Sequence, residues 1–232
     1  MNFVEELNKI NIEPTEVMLN QFEIYYNKLV EVNQYMNLTA ITEREEVYKK
    51  HFLDSLFLMQ AIDHNKEYSL CDVGSGAGFP SIPLAITNKN LNVVIIDALN
   101  KRIKFLNDLI SDLKLENAVA YHERAEDYVK KERASFDIVT ARAVAKLNIL
   151  AELCLPLVKM NGLFIAMKGQ DGLQELDEAA KAISILGGKV EKTIELELPE
   201  DAGKREIIVI RKVKETPTKY PRIFAKIKEK PL

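Results

Sequence analysis

The stretch of sequence that decides the fold of this 232-residue chain is Leu70-Cys71-Asp72-Val73-Gly74-Ser75-Gly76-Ala77-Gly78-Phe79-Pro80. An apolar run ends at Asp72-Val73, three alternating glycines follow, and Pro80 suits the first turn of a helix, where its missing N–H is not needed. Glycines let the backbone turn sharply and let a ligand approach the main chain closely. In an open α/β sheet such a loop lies at the carboxyl end of a strand, where ligands bind. The stretch therefore predicts a strand, a ligand-binding loop and a helix.

From residue 68 onward, short apolar runs alternate with amphipathic stretches. The apolar runs are Ser69–Val73, Val93–Asp97, Ala118–His122, Phe136–Ala141 and Leu163–Lys168. Continuously apolar strands separated by helices indicate a parallel sheet that is covered on both faces. Two later runs, Lys189–Leu198 and Arg205–Val213, flank a turn at Gly203 and predict an antiparallel pair at the sheet edge. We therefore predict an α/β, Rossmann-like fold with a doubly wound, mostly parallel sheet.

The chain divides into three predicted segments. Residues 1–66 have helical apolar spacing and form an N-terminal helical extension, in which Thr42 is the predicted N-cap of the second long helix. Residues 67–213 form the α/β domain. Residues 214–232 form a basic C-terminal tail with three prolines, predicted to be extended or loosely attached. Residues 211–232 carry eight Lys and Arg against two Glu, although the whole chain has a net charge of −3.

Composition excludes several classes of protein. Hydrophobic residues make up 47% and charged residues 29% of the chain, as in ordinary soluble domains. Cys71 and Cys154 lie in apolar runs, so neither a disulfide framework, a metal site nor a covalent cysteine mechanism is expected. The first ten residues carry acids where a signal peptide has bases, and no apolar stretch reaches the ~18 residues that span a bilayer. We expect a cytoplasmic protein without a membrane partner, and a monomer.

The spacing of the glycines bears on the ligand. A dinucleotide site has the pattern G-x-G-x-x-G, whereas here the third glycine is Gly78 and Phe79 occupies the position of the expected glycine. Asp97 ends the second strand, where an acid meets ribose hydroxyls in either class of cofactor, so it does not distinguish them. Asp72 favours S-adenosylmethionine, because that cofactor has a cationic amino-acid end and a dinucleotide has none. A nicotinamide oxidoreductase remains the alternative of a different class.

Several segments along the chain resemble one family closely, the bacterial small-subunit rRNA guanine-N7 methyltransferases, also called glucose-inhibited division protein B. The matching segments are Asn37–Ile41, His51–Leu56, Asp72–Pro80, Ile82–Ala85, Asn100–Leu106, Arg124–Glu126, Ala141–Ala145, Lys168–Gly169 and Lys219–Arg222. The glycine loop alone is typical of a superfamily, whereas Leu-Thr-Ala-Ile, His-Phe-Leu-Asp-Ser and Ala-Arg-Ala-Val-Ala in this order are more specific. The resemblance implies methyl transfer from S-adenosylmethionine to N7 of a guanosine in 16S rRNA, presented either as naked RNA or in the small ribosomal subunit. Methylation of another RNA or of a small molecule is the alternative.

The resemblance also implies which residues contact the cofactor, namely Gly74, Phe79, Ala125, Glu126 and Arg142. The pattern of the loop and of the second strand adds Gly76 and Asp97 to this set. No residue is expected to act as an acid or base, because N7 of guanine has a lone pair and no proton to remove.

Several of these candidate positions also have a purely structural interpretation. Glu126 suits the first turn of a short helix, and Arg142 suits a surface salt bridge. His51 and Asp54 lie three residues apart on one helical face and serve either substrate recognition or a buried contact. Together with the basic tail, the cluster of bases at residues 101–104 forms a footprint for RNA phosphates or simply a solvated helix face.

Overall fold

The computed structural model describes residues 1–142 and 145–232, and within these ranges the chain forms one seven-stranded sheet in the order β3-β2-β1-β4-β5-β7-β6. The strands are Tyr68–Val73 (β1), Leu91–Asp97 (β2), Ala118–His122 (β3), Phe136–Arg142 (β4), Val158–Lys168 (β5), Gly188–Glu197 (β6) and Lys204–Lys212 (β7). Strands β1 to β5 pair in parallel, and β7 runs antiparallel to both β5 and β6. This confirms the mostly parallel sheet with an antiparallel edge pair.

Helices cover both faces of the sheet. They are Phe3–Lys9 (α1), Glu16–Met36 (α2), Arg44–Val47 (α3), Asp54–Leu56 (α4), Ser81–Thr87 (α5), Asn100–Asp112 (α6), Ala125–Glu132 (α7), Leu147–Cys154 (α8), Gly172–Ile185 (α9) and Phe224–Glu229 (α10). A π-helical segment, Tyr48–Leu53, joins α3 to α4, and 3₁₀ turns lie at Phe57–Ala61 and Leu155–Leu157. No helix within the described ranges is long and apolar enough to cross a membrane.

Side chains alternate across β1, so this strand contributes to two separate cores. Leu70 packs in a core with the N-terminal helices, α5 and α6, whereas Cys71 packs in a core with α7, α8, α9 and the tail. Cys71 and Cys154 are both buried free thiols. The burial of both faces explains why the parallel strands are apolar throughout their length.

The N-terminal helices share the first core with the sheet. Phe22, Tyr25 and Leu29 form the buried stripe of α2, each with 0% exposure. The Tyr25 hydroxyl donates a hydrogen bond of 2.6 Å to the carbonyl of Ala77 in the glycine loop. The helical extension therefore supports the loop directly.

The prediction that Thr42 caps a helix is wrong. Helix α3 begins at Arg44, with Glu43 as its N-cap and no side-chain hydrogen bond at the cap. The preceding segment is held elsewhere, because Asn33 on α2 exchanges two hydrogen bonds of 2.9 Å with the backbone of Thr39. The Thr42 carbonyl in turn accepts a bond from the Tyr26 hydroxyl at 3.2 Å. These contacts delay the start of the helix.

The tail is packed against the domain, contrary to the prediction of a loosely attached segment. Glu152 on α8 has 0% exposure and accepts hydrogen bonds from the backbone N–H and the guanidinium of Arg222 at 2.6 to 2.9 Å. Tyr220 and Ile227 are buried in the second core. Composition suggested a solvated tail because most of its residues are polar, but these few contacts are enough to anchor it.

Lys212 and Thr216 fix the beginning of the tail. The Lys212 ammonium donates to the Leu155 carbonyl and to the Thr216 hydroxyl, which itself donates to the Leu186 carbonyl. Burial lowers the pKa of Lys212 to about 8. Because β7 is antiparallel to its neighbours, it ends beside the amino ends of the parallel strands. The tail therefore leaves the sheet at the amino ends of the parallel strands, whereas the glycine loop lies at their carboxyl ends.

Candidate functional site

The glycine loop needs glycine for two different reasons. Gly74, Gly76 and Gly78 all have positive φ angles, of 77°, 63° and 102° respectively. A Cβ on Gly76 would have no atom within 4 Å, so only the backbone conformation restricts that position. A Cβ on Gly78 would lie 2.7 Å from Ile82 Cγ1 and 2.8 Å from the Tyr25 hydroxyl. The loop is therefore open towards one side and packed tightly against α2 and α5 on the other.

We expect Gly78→Ala to cost about 3 kcal/mol of unfolding free energy, because backbone strain and overpacking add at this position. Gly76→Ala is the matched control, since it introduces the same methyl group and a positive φ in open space, and should cost about 1 kcal/mol. Urea unfolding of the two variants measures the difference. Equal stability of the two proteins would contradict the packing described for Gly78.

A cavity of about 510 Å³ lies at the carboxyl ends of β1, β2 and β4. It brings together Gly74, Gly76, Phe79, Asp97 and Arg142 from the set predicted from the sequence. The other lining residues are Leu38, Thr39, His51, Ser75, Ala77, Ala98, Leu99 and Arg102. The edge of the sheet where the loop lies is thus a ligand-sized concavity.

Ala125 and Glu126 are not among the residues that line this cavity. Ala125 is buried and begins α7, and Glu126 is an acid in the first turn of that helix. The two residues follow β3, which lies next to β2 in the sheet. They therefore stand on the side of the site where Asp97 ends β2.

Asp72 is a buried carboxylate directly beneath the loop. It has 0% exposure, and neither of its oxygens has a hydrogen-bond partner within the described residues. The buried hydroxyls of Ser75 and Ser81 also have no hydrogen-bond partner within the described residues. Burial raises the pKa of Asp72 to about 7, with a smaller contribution from the charge of Asp97, while the nearby hydroxyl and N–H of Ser81 act to lower it. A buried carboxyl group held this weakly fits a ligand that carries a cationic amino group.

Asp97 links the glycine loop to the next helix. Its Oδ1 accepts a hydrogen bond of 2.8 Å from the Leu99 N–H, and its Oδ2 accepts one of 3.3 Å from the Gly76 N–H. The guanidinium of Arg102 lies 3.4 Å from the same Oδ2. The carboxylate therefore holds the loop and the start of α6 in one arrangement in the wall of the cavity.

Arg142 ends β4 and reaches into the π-helical segment. Its guanidinium pairs with Asp54 at 3.2 Å and donates to the Lys50 carbonyl at 2.9 Å and to the Ser55 hydroxyl at 3.1 Å. It also approaches His51 Nδ1 at 3.0 Å. Its side chain is only 14% exposed, so the alternative of a surface salt bridge is wrong. Positions 143 and 144 of the Ala-Arg-Ala-Val-Ala motif lie outside the described residues.

The contacts of His51 define its tautomer. An arginine can only donate, so Nδ1 must accept from Arg142 and the ring proton must be on Nε2, which lies 2.7 Å from the Thr39 hydroxyl oxygen. Burial, assisted by the charge of Arg142, lowers the pKa of His51 to about 4, so the ring is neutral at pH 7. The ring stacks on Phe79 with centroids 4.5 Å apart. His51 therefore joins the Arg142 cluster to the cavity wall.

A second cavity, of about 420 Å³, meets the first at Arg142. Its other lining residues are Asp54, Phe57, Ala145, Met167, Lys168, Gly169, Glu175, Arg205, Glu206 and Ile207. Arg205 approaches Asp54 at 2.9 Å, so this one carboxylate pairs with two arginines. The site thus consists of two compartments with the Arg142 guanidinium between them.

Within the described residues, no group of three or more His, Cys, Asp or Glu is arranged to hold a metal ion.

Comparison with known proteins decides the family. Residues 18–208 match the family model described as rRNA small subunit methyltransferase G. The chain belongs to this family. A relative of that name from Staphylococcus saprophyticus subsp. saprophyticus is 56% identical over 219 residues, which are 94% of this chain and 92% of the relative. The resemblance noted from the sequence is thereby confirmed.

Solved structures with low sequence identity share the fold. The YcgJ protein from Bacillus subtilis aligns with a TM-score of 0.56 at 14% identity, over 71% of this chain and 100% of that one. A precorrin-6y C5,15-methyltransferase from Geobacter metallireducens aligns with a TM-score of 0.52 at 16% identity, over 74% of this chain and 91% of that one. These likenesses confirm the Rossmann-like architecture of this methyltransferase family member.

Sequence reasoning missed part of the site in this family member. The Asn37–Ile41 motif contains Thr39, whose hydroxyl follows the end of a long helix, and this polar position was the available signal. The predicted strand Arg205–Val213 contains Arg205 and Glu206 without marking either as a site residue. They reach the site because β7 inserts between β5 and β6, and neither their spacing nor their composition indicates that pairing.

Proposed function

We propose that this chain transfers a methyl group from S-adenosylmethionine to N7 of a guanosine in the 16S rRNA of the small ribosomal subunit. The observation that carries the proposal is the pair of cavities that meet at Arg142, with the glycine loop in the wall of the first. Membership of the rRNA small subunit methyltransferase G family supports the choice of RNA as substrate.

The first cavity is the proposed cofactor site. The backbone of Gly74 and Gly76 allows close approach of the ligand, and the Asp72 carboxylate provides a negative charge for its amino group. Asp97, in the wall of the cavity, can accept hydrogen bonds from the ribose hydroxyls of the ligand. These bonds would replace its long contact with the Arg102 guanidinium.

The remaining predicted contacts extend the cofactor site on both sides. Phe79 forms an apolar wall backed by His51, and Arg142 closes the end that faces the second cavity. We propose that Ala125 and Glu126 contact the adenine beyond Asp97, because they follow the strand next to β2.

The chemistry requires alignment rather than proton transfer. When bound, S-adenosylmethionine would supply a methyl group already activated on a sulfonium, and transfer of that group to the N7 lone pair would release no proton from the base. The residues of this chain then act by holding N7 in line with the methyl group and by keeping water out. This agrees with His51 being neutral and engaged on both ring nitrogens.

The same proposal gives each of the three segments a role and the protein a cellular location and an oligomeric state. We propose that residues 67–213 form the methyl-transfer domain, that residues 1–66 support the glycine loop and supply Thr39, His51 and Asp54 to the cavity walls, and that residues 214–232 anchor α8. We propose that the protein acts in the cytoplasm as a monomer on rRNA, and size-exclusion chromatography coupled to light scattering tests the oligomeric state.

The decisive experiment uses small ribosomal subunits and naked 16S rRNA from a strain that lacks the gene. Incubation with the protein and S-adenosylmethionine should introduce one N7-methylguanosine, located by mapping the modified base. Subunits from the parent strain, already modified, are the control and should accept no methyl group. Calorimetric titration should show binding of S-adenosylmethionine and none of NAD. Methylation of a small molecule with no incorporation into RNA would overturn the proposal.

A further inference from the structure

Glu206 is a buried carboxylate in the second cavity, without a cationic partner among the residues that the structure describes. It lies on β7 opposite Lys168 of β5 and is 7% exposed. Its Oε2 accepts a hydrogen bond of 2.7 Å from the Leu173 N–H. In the ranges 1–142 and 145–232, no Lys, Arg or His nitrogen lies within 4.0 Å of its carboxylate oxygens.

The two other carboxylates of this cavity are compensated. Asp54 pairs through Oδ2 with Arg142 and through Oδ1 with Arg205. Glu175 pairs with Lys168 at 2.7 Å and also accepts from the backbone at the start of α8. Glu206 differs from both, because within the described residues it receives a hydrogen bond only from the Leu173 N–H at the start of α9. A buried carboxylate with so few donors favours a ligand that donates to it.

Guanine has the donors that this carboxylate lacks. One edge of the base presents N7 and O6, which accept, and the Watson–Crick edge presents the N1–H and the N2 amino group, which donate. A guanine that turns N7 towards Arg142 and the first cavity directs its Watson–Crick edge to the other end of the second cavity. Adenine presents an unprotonated N1 on that edge, so a carboxylate there would repel it. An unpaired or extruded base is needed for this contact.

We propose that Glu206 selects the target base by accepting hydrogen bonds from the N1–H and the N2 amino group of guanine. The inference rests on the proposed function, because it assumes that a guanine enters the second cavity. Glu206 is then a specificity-determining residue, distinct from Arg142 and the residues of the cofactor site.

The test replaces the mapped target guanosine with inosine, which keeps N7, O6 and N1–H and lacks only the N2 amino group. Semisynthetic 16S rRNA carrying either base is assembled into small subunits, and kcat/KM is measured for the wild-type protein and for Glu206→Gln. The wild type should prefer guanosine by at least about tenfold, the usual effect of losing a hydrogen bond to a charged group. In Glu206→Gln the preference should fall to within about twofold. The amide can still accept from the Leu173 N–H, so the start of α9 is retained.

Glu195→Gln is the matched control, because Glu195 pairs with Glu206 across β6 and β7 but is exposed outside the cavity. It should keep the wild-type preference. Loss of rate on both bases with an unchanged ratio in Glu206→Gln would overturn the inference and leave Glu206 as a cap of α9. Equal rates of the wild type on guanosine and inosine would also overturn it. Failure of the wild type on the guanosine substrate would instead overturn the proposed function, and that arm needs no variant.

Discussion

Arg142→Ala should lower kcat/KM for rRNA methylation by at least about a hundredfold, equivalent to about 2.7 kcal/mol of transition-state stabilisation. The guanidinium lies between the two cavities and holds His51, Asp54 and the π-helical segment in place. Without the guanidinium, the residues that separate the cofactor cavity from the base cavity lose the contacts that hold them in place. Because alignment is the main contribution expected from the protein, a small displacement there has a large kinetic effect.

The substitution also affects stability, and this effect must be separated from catalysis. Alanine leaves Asp54, which is 3% exposed, with Arg205 as its remaining cationic partner among the described residues. Because the remaining Asp54–Arg205 pair is balanced in charge, we expect Arg142→Ala to stay folded, and urea unfolding measures the stability that it loses. Arg142→Lys should remain impaired, because an ammonium cannot reproduce the fork of contacts.

Arg211→Ala is the control for loss of an arginine outside the site, since Arg211 pairs with Glu191 on the edge strand. Its kcat/KM should stay within about twofold of the wild type. Calorimetry with S-adenosylmethionine separates cofactor binding from turnover in each variant. Full turnover and unchanged binding of both ligands in Arg142→Ala would contradict the proposed site.

Arg222→Ala should destabilise the protein by about 3 to 5 kcal/mol, because it leaves the carboxylate of Glu152 buried without its charge partner. Among the described residues, Glu152 would retain a hydrogen bond only from the backbone N–H of position 222. Urea unfolding measures the loss. Glu152→Leu combined with Arg222→Met should recover most of it, since apolar side chains of similar size can replace a buried ion pair.

Removal of residues 214–232 should be at least as destabilising, because Thr216, Tyr220 and Ile227 are lost together with Arg222. Truncation is therefore a poor test of RNA binding by the tail. Substitution of the exposed Lys226 and Lys228 by alanine changes the charge alone and should cost less than about 0.5 kcal/mol. A truncated protein as stable as the wild type would contradict the packed tail and support the loose attachment predicted from composition.

The sequence by itself determined the sheet and the loop. Apolar runs of strand length, separated by amphipathic stretches, are local patterns, so β1 to β4 and the edge pair were predictable within a few residues, whereas β5 begins at Val158, before the predicted Leu163. The Asp72–Pro80 segment was predictable for the same reason, because glycine spacing restricts the backbone locally. Asp97 and Arg142 followed, since each ends a parallel strand and all such ends meet at one edge of the sheet.

Tertiary structure alone decided which side chains complete that edge. Arg205 and Asp54 are 151 residues apart in the chain, and they meet because β7 inserts beside β5. Glu206 shares the second cavity for the same reason, and Arg222 finds Glu152 only once the tail folds back on α8. Ion pairs and buried carboxylates of this kind depend on distances between distant segments, which no local pattern records. Sequence thus determined where the site lies, and long-range packing decided what surrounds Arg142.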